Sequence, residues 1–561
     1  MLPFIDYPFE YLAGVTGGSV NELKLIFSFL LSYPLAGILK RVPDAKPAYK
    51  NLFIIGVSLT YLIGLFDLWT GIRTLVISSV GAYSIATYVD GPFMPWIAFV
   101  FLMGHMSISH VYRLANVPEA FDITGAQMVL VMKLTGFCWN VHDGRLPQKD
   151  LSDTQKERAL STLPSVLDFA GYVLFFPSLF AGPAFDFVEY RNWIETTMFE
   201  LPPGIDPAKR PPTRKQRKIP RSGTPAAIKA VAGLAWIFAF LKFSAWYSPD
   251  LLLGDSFMQY GFLRRVWMLY LFNFSARLKY YGVWSLTEGA CILSGLGYKG
   301  VDPKTGTVRW DRLQNVNPWR LETAQNTRAY LENWNMNTNY WLRNYMYLRV
   351  TPKGKKPGFR ASMATFVTSA FWHGFYPGYY LTFVLASFLQ TVAKNFRRHI
   401  RPFFLHPTTG APTSYKPIYD FLSFIITQTA FSFATTPFVL LALPSSLLAW
   451  SRVYFYCIVG VIASMAFFAS PAKPYLMKQL QKRNQAALGR DTGTKGAPPQ
   501  AGVPKRTMSY ESIEESTLMG LPSDPGKELD EAVQEVKDEV EARRRRGSKV
   551  SAGQVRTEKG F

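Results

Sequence analysis

The feature that most constrains this chain is a succession of apolar runs, each roughly 20 residues long, the length a helix needs to cross a bilayer. They fall near 20–40, 51–70, 72–89, 94–113, 120–140, 163–185, 225–247, 262–294, 361–396, 418–444 and 446–470. Inside a bilayer every backbone N–H and C=O must be paired within the protein, so only helices or a closed barrel can span it. Runs of this length select helices. The expected fold class is an all-α polytopic membrane protein with about eleven transmembrane helices around a chamber. Pro34, Pro164, Pro177, Pro183 and Pro377 interrupt several runs. Their freed carbonyls are tolerable where neighbouring helices or a cavity satisfy them.

Composition agrees. Of 561 residues, 48% are hydrophobic, 15% aromatic and 18% charged, too apolar for an ordinary soluble enzyme. A net charge of +22 raises nucleic acid as a partner. That reading requires basic residues gathered on a soluble face. Here they punctuate the apolar runs instead, as loops on the cytosolic side of a membrane do. No Lys or Arg precedes the first run, whereas Lys40, Arg41, Lys46 and Lys50 follow it. The positive-inside rule then places the N-terminus in the lumen. An odd number of spans leaves the C-terminus cytosolic, with Lys473, Lys478, Lys482 and Arg483 after the last run. The first 20 residues lack the pattern of a cleavable signal, so residues 23–39 are expected to act as an uncleaved signal-anchor in the endoplasmic reticulum.

The chain divides into a multi-span domain, residues 1–483, and a polar tail, 484–561, rich in Gln, Gly, Pro and Ser and expected to be disordered. Within the tail, Leu529, Val533, Val536 and Val540 mark a short amphipathic helix over 526–546. The stretch 191–224 carries Lys209, Arg210, Arg214, Lys215, Arg217, Lys218 and Arg221, and reads first as a cytosolic loop against anionic headgroups, with phosphate binding as the second reading. Cys138, Cys291 and Cys457 are scattered through apolar segments and form neither a disulfide framework nor a metal site.

Several patterns are decoys. Gly295, Gly297 and Gly300 spell a dinucleotide fingerprint without its strand–turn–helix context. His105 and His110 are about 140° apart on a helix, unlike the i, i+4 pair of a zinc site. Asn273 heads a glycosylation sequon inside an apolar run.

The informative region lies between 328 and 380. Residues 331–350 interleave Asn333, Asn335, Asn337 and Asn339 with Trp334, Tyr340, Trp341 and Tyr345. That is too polar for a lipid-facing span and too aromatic for a solvated loop, and suits an amphipathic interfacial helix. Downstream, His373 sits in an apolar stretch just before Pro377. An ionisable residue within a span is costly and marks a functional site by default. Equally open is a histidine bonded to a carbonyl that the proline frees.

The blocks WNMNTNYWLRNYMYLR (334–349) and SAFWHGFYPGYYLTF (369–383) resemble the signature of membrane-bound O-acyltransferases. More narrowly they are similar to the lysophospholipid acyltransferase branch, of the broad-specificity fungal type. WNVHDGR (139–145), FFPSLFAGPAFDFVEY (175–190) and RLKYYGVWSLTEGACILSGLGYKG (277–300) extend the likeness over most of the membrane domain. The F-Y-x-D-W-W-N pattern of sterol and diacylglycerol acyltransferases is absent. The resemblance implies catalytic His373 and Asn335, with activity-linked Asp143 and Glu288. Trp334 and Trp372 are expected to support the cavity, and Lys353, Lys355, Lys356 and Arg360 to hold CoA phosphates.

It further implies transfer of a fatty acyl group from acyl-CoA to the hydroxyl of a lysophospholipid such as lysophosphatidylcholine or lysophosphatidylethanolamine. Membrane lipids are the surroundings, and neither metal nor cofactor is expected. A hydroxyl needs a positioned base, for which histidine is suited. Asn335 would either donate to the oxyanion or orient His373, and the sequence leaves that choice open. The competing class is a lipid transporter or scramblase, which also uses broken helices and buried polar groups.

Overall fold

Helices account for nearly all the regular structure. A computed structural model of the chain describes residues 3–115, 122–201, 209, 211–351 and 359–491. The helices begin with α1 (Pro3–Thr16), α2 (Val20–Leu39), α3 (Pro47–Leu59), α4 (Trp69–Tyr88), α5 (Met94–Ala115), α6 (Thr124–Gly144) and α7 (Asp153–Arg158). Next come α8 (Val166–Val173), α9 (Phe187–Ile194), α10 (Gly223–Trp246), α11 (Pro249–Leu253), α12 (Phe262–Ser294), α13 (Pro318–Glu322) and α14 (Thr327–Glu332). The series closes with α15 (Met336–Leu342), α16 (Phe359–His373), α17 (Pro377–His399), α18 (Lys416–Leu440), α19 (Leu443–Ser451), α20 (Tyr456–Ala469) and α21 (Ala472–Asp491). The only sheet among the described residues is a two-stranded hairpin, β1 (Gly300–Val301) with β2 (Val308–Arg309).

Polarity is distributed as in a bilayer. Large apolar side chains face outward along whole helices, including Ile228, Val231, Phe238 and Leu241 on α10 and Ile418, Phe421, Ile425 and Ile426 on α18. Between the helices lie buried polar and charged residues such as Lys133, Asn140, Asp143, Asn273, Arg277 and Glu288. Lipid supplies no hydrogen bonds, so polar groups gather inside and pair with one another. Small residues bring helices together: a Cβ on Gly233 of α10 would lie 3.1 Å from the Gly282 carbonyl of α12, and the reverse holds equally.

By length and apolarity alone, five of the described helices can cross a membrane, or six if the bent pair α19–α20 is one span. That count does not reach the expected eleven. Helices α4, α6, α12 and α17 coincide with expected runs but carry charged or small polar residues within them. The run at 163–185 is no full span. It breaks at its prolines into α8 and a 3-10 turn over Phe176–Ser178.

Other expectations change as well. Helix α1 lies ahead of the first expected span, held by an ion pair between Lys24 and Asp6 and by the edge of Phe27 against Phe9. Lys40 and Lys50, read as loop charges, are buried. Lys50 pairs with Asp44 at 2.7 Å, and Lys40 donates to Ser222 at 2.8 Å. The segment 331–350 is not one amphipathic helix. Asn335, at φ 45°, separates α14 from α15, and a π turn follows over Arg343–Tyr347. Helix α21 continues to Asp491, past the expected end of the membrane unit. The amphipathic segment 526–546 and Lys353, Lys355 and Lys356 lie outside the described residues.

A buried pair ties α12 to α13. Arg277 donates to Glu322 from Nε at 2.7 Å and Nη2 at 2.9 Å, and the Tyr281 hydroxyl donates to the same carboxylate at 2.5 Å. Removing one partner of such a pair leaves a charge stranded. Arg277→Met is expected to lower stability by about 3 kcal/mol, read as a fall in melting temperature of the detergent-solubilised protein. An unchanged melting temperature would refute the assignment.

Candidate active site

The site is assembled on one face of α6. At about 3.6 residues per turn, positions 128, 132, 135, 139 and 143 form a continuous stripe, and each meets the segment 334–349 or the end of α16. The Trp372 indole N–H donates to the Met128 carbonyl at 3.0 Å. The Thr338 hydroxyl lies 3.4 Å from Met132 Sδ. The Trp341 N–H donates to Thr135 Oγ1 at 2.7 Å. The Arg349 guanidinium lies over the Trp139 ring at 4.3 Å and reaches Asp143 with two bonds of 2.7 and 2.5 Å. A buried indole N–H usually finds a partner, so the Trp341 and Trp372 bonds also fix register.

His373 is the last residue of α16. Its Nδ1 lies 2.7 Å from the Ser369 carbonyl. A carbonyl can only accept, so Nδ1 carries the proton and Nε2 is left as a lone pair. No described residue bonds to Nε2. The rings of Trp372, Tyr379, Phe383 and Phe438 surround the imidazole, with centroids 4.6–5.7 Å away. It is partly accessible within this aromatic enclosure.

The turn after His373 is held from α5. His110, 4% exposed, has Nε2 3.1 Å from the Trp372 carbonyl, which by the same logic accepts from it. That carbonyl is one of those a helix C-terminus leaves unpaired. Gly374 follows at φ +114°, and a Cβ there would lie 2.9 Å from His110 Nδ1. Only glycine meets both demands. Sequence reasoning set His110 aside with His105 as a failed zinc pair. The signal it carried was that of any ionisable residue in an apolar helix. Among the described residues no cluster of ligands suits a metal ion.

Asn335 sits in the left-handed region at the start of α15, a conformation asparagine tolerates better than most residues. The Thr338 hydroxyl donates to its Oδ1 at 2.8 Å, and its Nδ2 donors have no partner among the described residues. Trp334, next to it, packs edge-on against Trp284, Tyr280 and Tyr281 of α12. Asn335 and His373 therefore flank the same stretch of α6: the neighbour of one is anchored at Met128 and that of the other touches Met132.

The remaining expected residues make other contacts. Asp143, fully buried, is engaged by Arg349. Glu288 pairs with Lys229 of α10 at 2.9 Å. Arg360 occupies the first turn of α16, exposed and about 20 Å along the axis from His373 at 1.5 Å per residue. A further anchor went unnoticed in the sequence: Asp186 accepts from Arg158 Nε at 2.9 Å and from the Tyr345 hydroxyl at 2.7 Å, clamping the π turn against α9.

The Asp143–Arg349 bond is the charged end of the α6 stripe. Asp143→Ala and Arg349→Met are expected to destabilise the protein singly, with the double variant less affected than their sum by at least about 1 kcal/mol. Melting temperatures of the four proteins check this; strict additivity would show that the pair does not couple.

Comparison with known proteins follows the same blocks. The model of the membrane-bound O-acyltransferase family matches residues 118–436, from ahead of α6 to within four residues of the end of α18. The chain is 45% identical over 483 residues to a lysophospholipid acyltransferase of Schizosaccharomyces pombe, covering 86% of this chain and 93% of the relative. It is 40% identical over 531 residues to a lysophospholipid acyltransferase of Saccharomyces cerevisiae, covering 91% and 86%. With the mouse membrane-bound glycerophospholipid O-acyltransferase 1 it shares 32% over 487 residues, covering 85% and 94%. These relatives are named as acyltransferases, not carriers. A helical membrane bundle, a family match that spans both Asn335 and His373, and relatives covered over most of their length agree: this chain belongs to the membrane-bound O-acyltransferase family.

Proposed function

We propose that this enzyme transfers a fatty acyl group from acyl-CoA to the free hydroxyl of a lysophospholipid, with His373 as general base and Asn335 as oxyanion donor. The observation that carries the reading is the state of the imidazole. With Nδ1–H committed to Ser369, Nε2 is the atom left to accept a proton. The lysolipid hydroxyl gives its proton to Nε2 as its oxygen attacks the thioester carbonyl. The tetrahedral intermediate collapses, the carbon–sulfur bond breaks, and the imidazolium returns the proton to the departing thiolate. Atoms and charge balance. The thioester is already an activated acyl group, so no cofactor is needed and no acyl-enzyme is required.

The same geometry bears on Asn335. His373 is oriented by Ser369, so an orienting role for Asn335 is redundant, while its unpartnered Nδ2 donors suit a developing negative charge. An amide does this without bringing a formal charge into low dielectric. Acyl-CoA as donor is supported by Arg360 and the basic loop before it. Lysophospholipid as acceptor is supported by the names of the relatives. The basic residues after α2 and along α21 support a cytosolic C-terminus and a lumenal N-terminus, in the endoplasmic reticulum membrane.

Microsomes carrying the protein, given labelled oleoyl-CoA and lysophosphatidylcholine, are expected to form labelled phosphatidylcholine. His373→Ala is expected to lower the rate by about 10²–10⁴-fold, with the protein still inserted; undiminished incorporation would overturn the assignment. His110→Ala is expected to lower kcat by about ten- to a hundredfold through displacement of the turn, with KM for both substrates little changed. His110→Gln, whose amide N–H can reach the Trp372 carbonyl, is expected to recover most of that loss. Equal impairment of both variants would reduce His110 to packing.

A further inference from the structure

Charge is divided sharply along the last third of the chain. Between Glu332 and Asp491 the sequence holds one acid, Asp420, and Lys416 pairs with it. Beyond Asp491 the balance reverses. The segment 528–541 reads ELDEAVQEVKDEVE, in which acids surround a single base, Lys537.

The fold gathers cations at one end of the bundle. Lys394, Arg397, Arg398 and Arg401 recur at i, i+3, i+4 and i+7 along the end of α17 and the 3-10 turn after it, the spacing of one helix face. Arg397 and Arg398 are exposed. Helix α21 returns to the same end. Its Arg483 donates to the Pro402 and Leu405 carbonyls at 2.9 and 2.8 Å, and its Leu480 is buried. That packing leaves Tyr475, Lys478 and Lys482 exposed on the outer side of α21. The start of α18 joins through Phe404 and Tyr419, whose ring centroids are 4.8 Å apart. Two cationic stripes thus flank the contact between α17 and α21.

Like charges set this densely repel one another, and a counter-charge relieves that cost. Anionic headgroups could supply it, but three observations favour the chain's own acidic segment. It is tethered: α21 is the last described element, and residues 492–527 reach about 33 Å at random-coil dimensions. The tether holds the segment at high effective concentration beside the stripes. Its sign also matters, because an anionic leaflet repels it while the protein's cations attract it. Finally, Leu529, Val533, Val536 and Val540 give it one apolar stripe. Tyr475 and Met477, set between Lys473 and Lys478, are 61% and 40% exposed and offer apolar surface to match. We propose that the acidic segment 528–541 of this chain docks across the cationic stripes of α17 and α21. The docking is independent of which acyl donor and acceptor the enzyme uses.

The test uses full-length protein in phosphatidylcholine nanodiscs, with Gln481→Cys on the exposed side of α21 and Gln534→Cys in the segment. A short bis-maleimide joins them, and the cross-linked peptide is quantified by mass spectrometry. The native Cys138, Cys291 and Cys457 are buried. A control pairs Gln481→Cys with Ser551→Cys, which lies beyond the cationic run Arg543 to Arg546. At low salt the 481–534 pair is expected to cross-link about tenfold faster than the control. That advantage is expected to shrink severalfold at about 1 M salt, where charges are screened beyond about 3 Å. Reversing the segment with Glu531→Lys, Glu535→Lys and Asp538→Lys is expected to abolish it. Adding Arg397→Glu, Arg398→Glu and Lys478→Glu is expected to restore it. Should those last changes prevent folding, the salt dependence and the reversal in the tail still decide. Equal rates for the two pairs, indifference to the reversal, or no recovery in a folded charge-swapped protein would overturn the docking. In discs containing phosphatidylserine the advantage is expected to persist; its loss there would assign the stripes to headgroups and overturn the proposal.

Discussion

The site depends on a single constraint: the inward stripe of α6 must meet the 334–349 segment and the end of α16 in one register. Indole N–H groups at two levels and a bidentate ion pair at a third set that register. A shift by one residue would rotate the stripe by about 100° and strand all three at once. In lipid an unpaired polar group finds no water to replace its partner, so the wrong registers are penalised more than in a soluble protein.

The same logic explains how charge is handled. Asp143 meets Arg349, Asp186 meets Arg158, Glu288 meets Lys229 and Glu322 meets Arg277, each linking two segments distant in sequence. These pairs act as pins, because separating either partner from the other exposes an uncompensated charge to a low dielectric. His373 differs in kind. It has a backbone partner on one nitrogen, aromatic rings around it and a free lone pair. Within the site, that makes it a group suited to changing its protonation during a reaction, while its neighbours hold theirs.

Much was legible from particular residues. The apolar runs placed α2, α3, α5, α10 and α18 closely, since a helix in lipid declares itself by length and apolarity. Pro377 did break the chain beside His373, and α17 starts there. The same reasoning erred where polarity and structure part ways. Residues 331–350 look like one amphipathic helix, yet it breaks at Asn335, where Asn333 and Asn339 on either side bond to the carbonyls of Ala329, Leu331 and Trp334 in place of the helix ladder. The run at 163–185 is apolar enough to span, but its prolines fold it into short pieces packed against α3 and α6. Lys40 and Lys50 read as solvated loop charges and are buried pins instead.

The sequence by itself determined the membrane class, the helical architecture and the block that holds Asn335 and His373, because those follow from local polarity and from motifs contiguous in the chain. Only the tertiary structure decided which nitrogen of His373 is free, that His110 holds the turn behind it, and that Trp341 and Trp372 bond to α6 at two levels. Each of these is a relation between segments far apart along the chain. It is set by hydrogen-bond satisfaction across packed helices, which no local pattern of residues encodes.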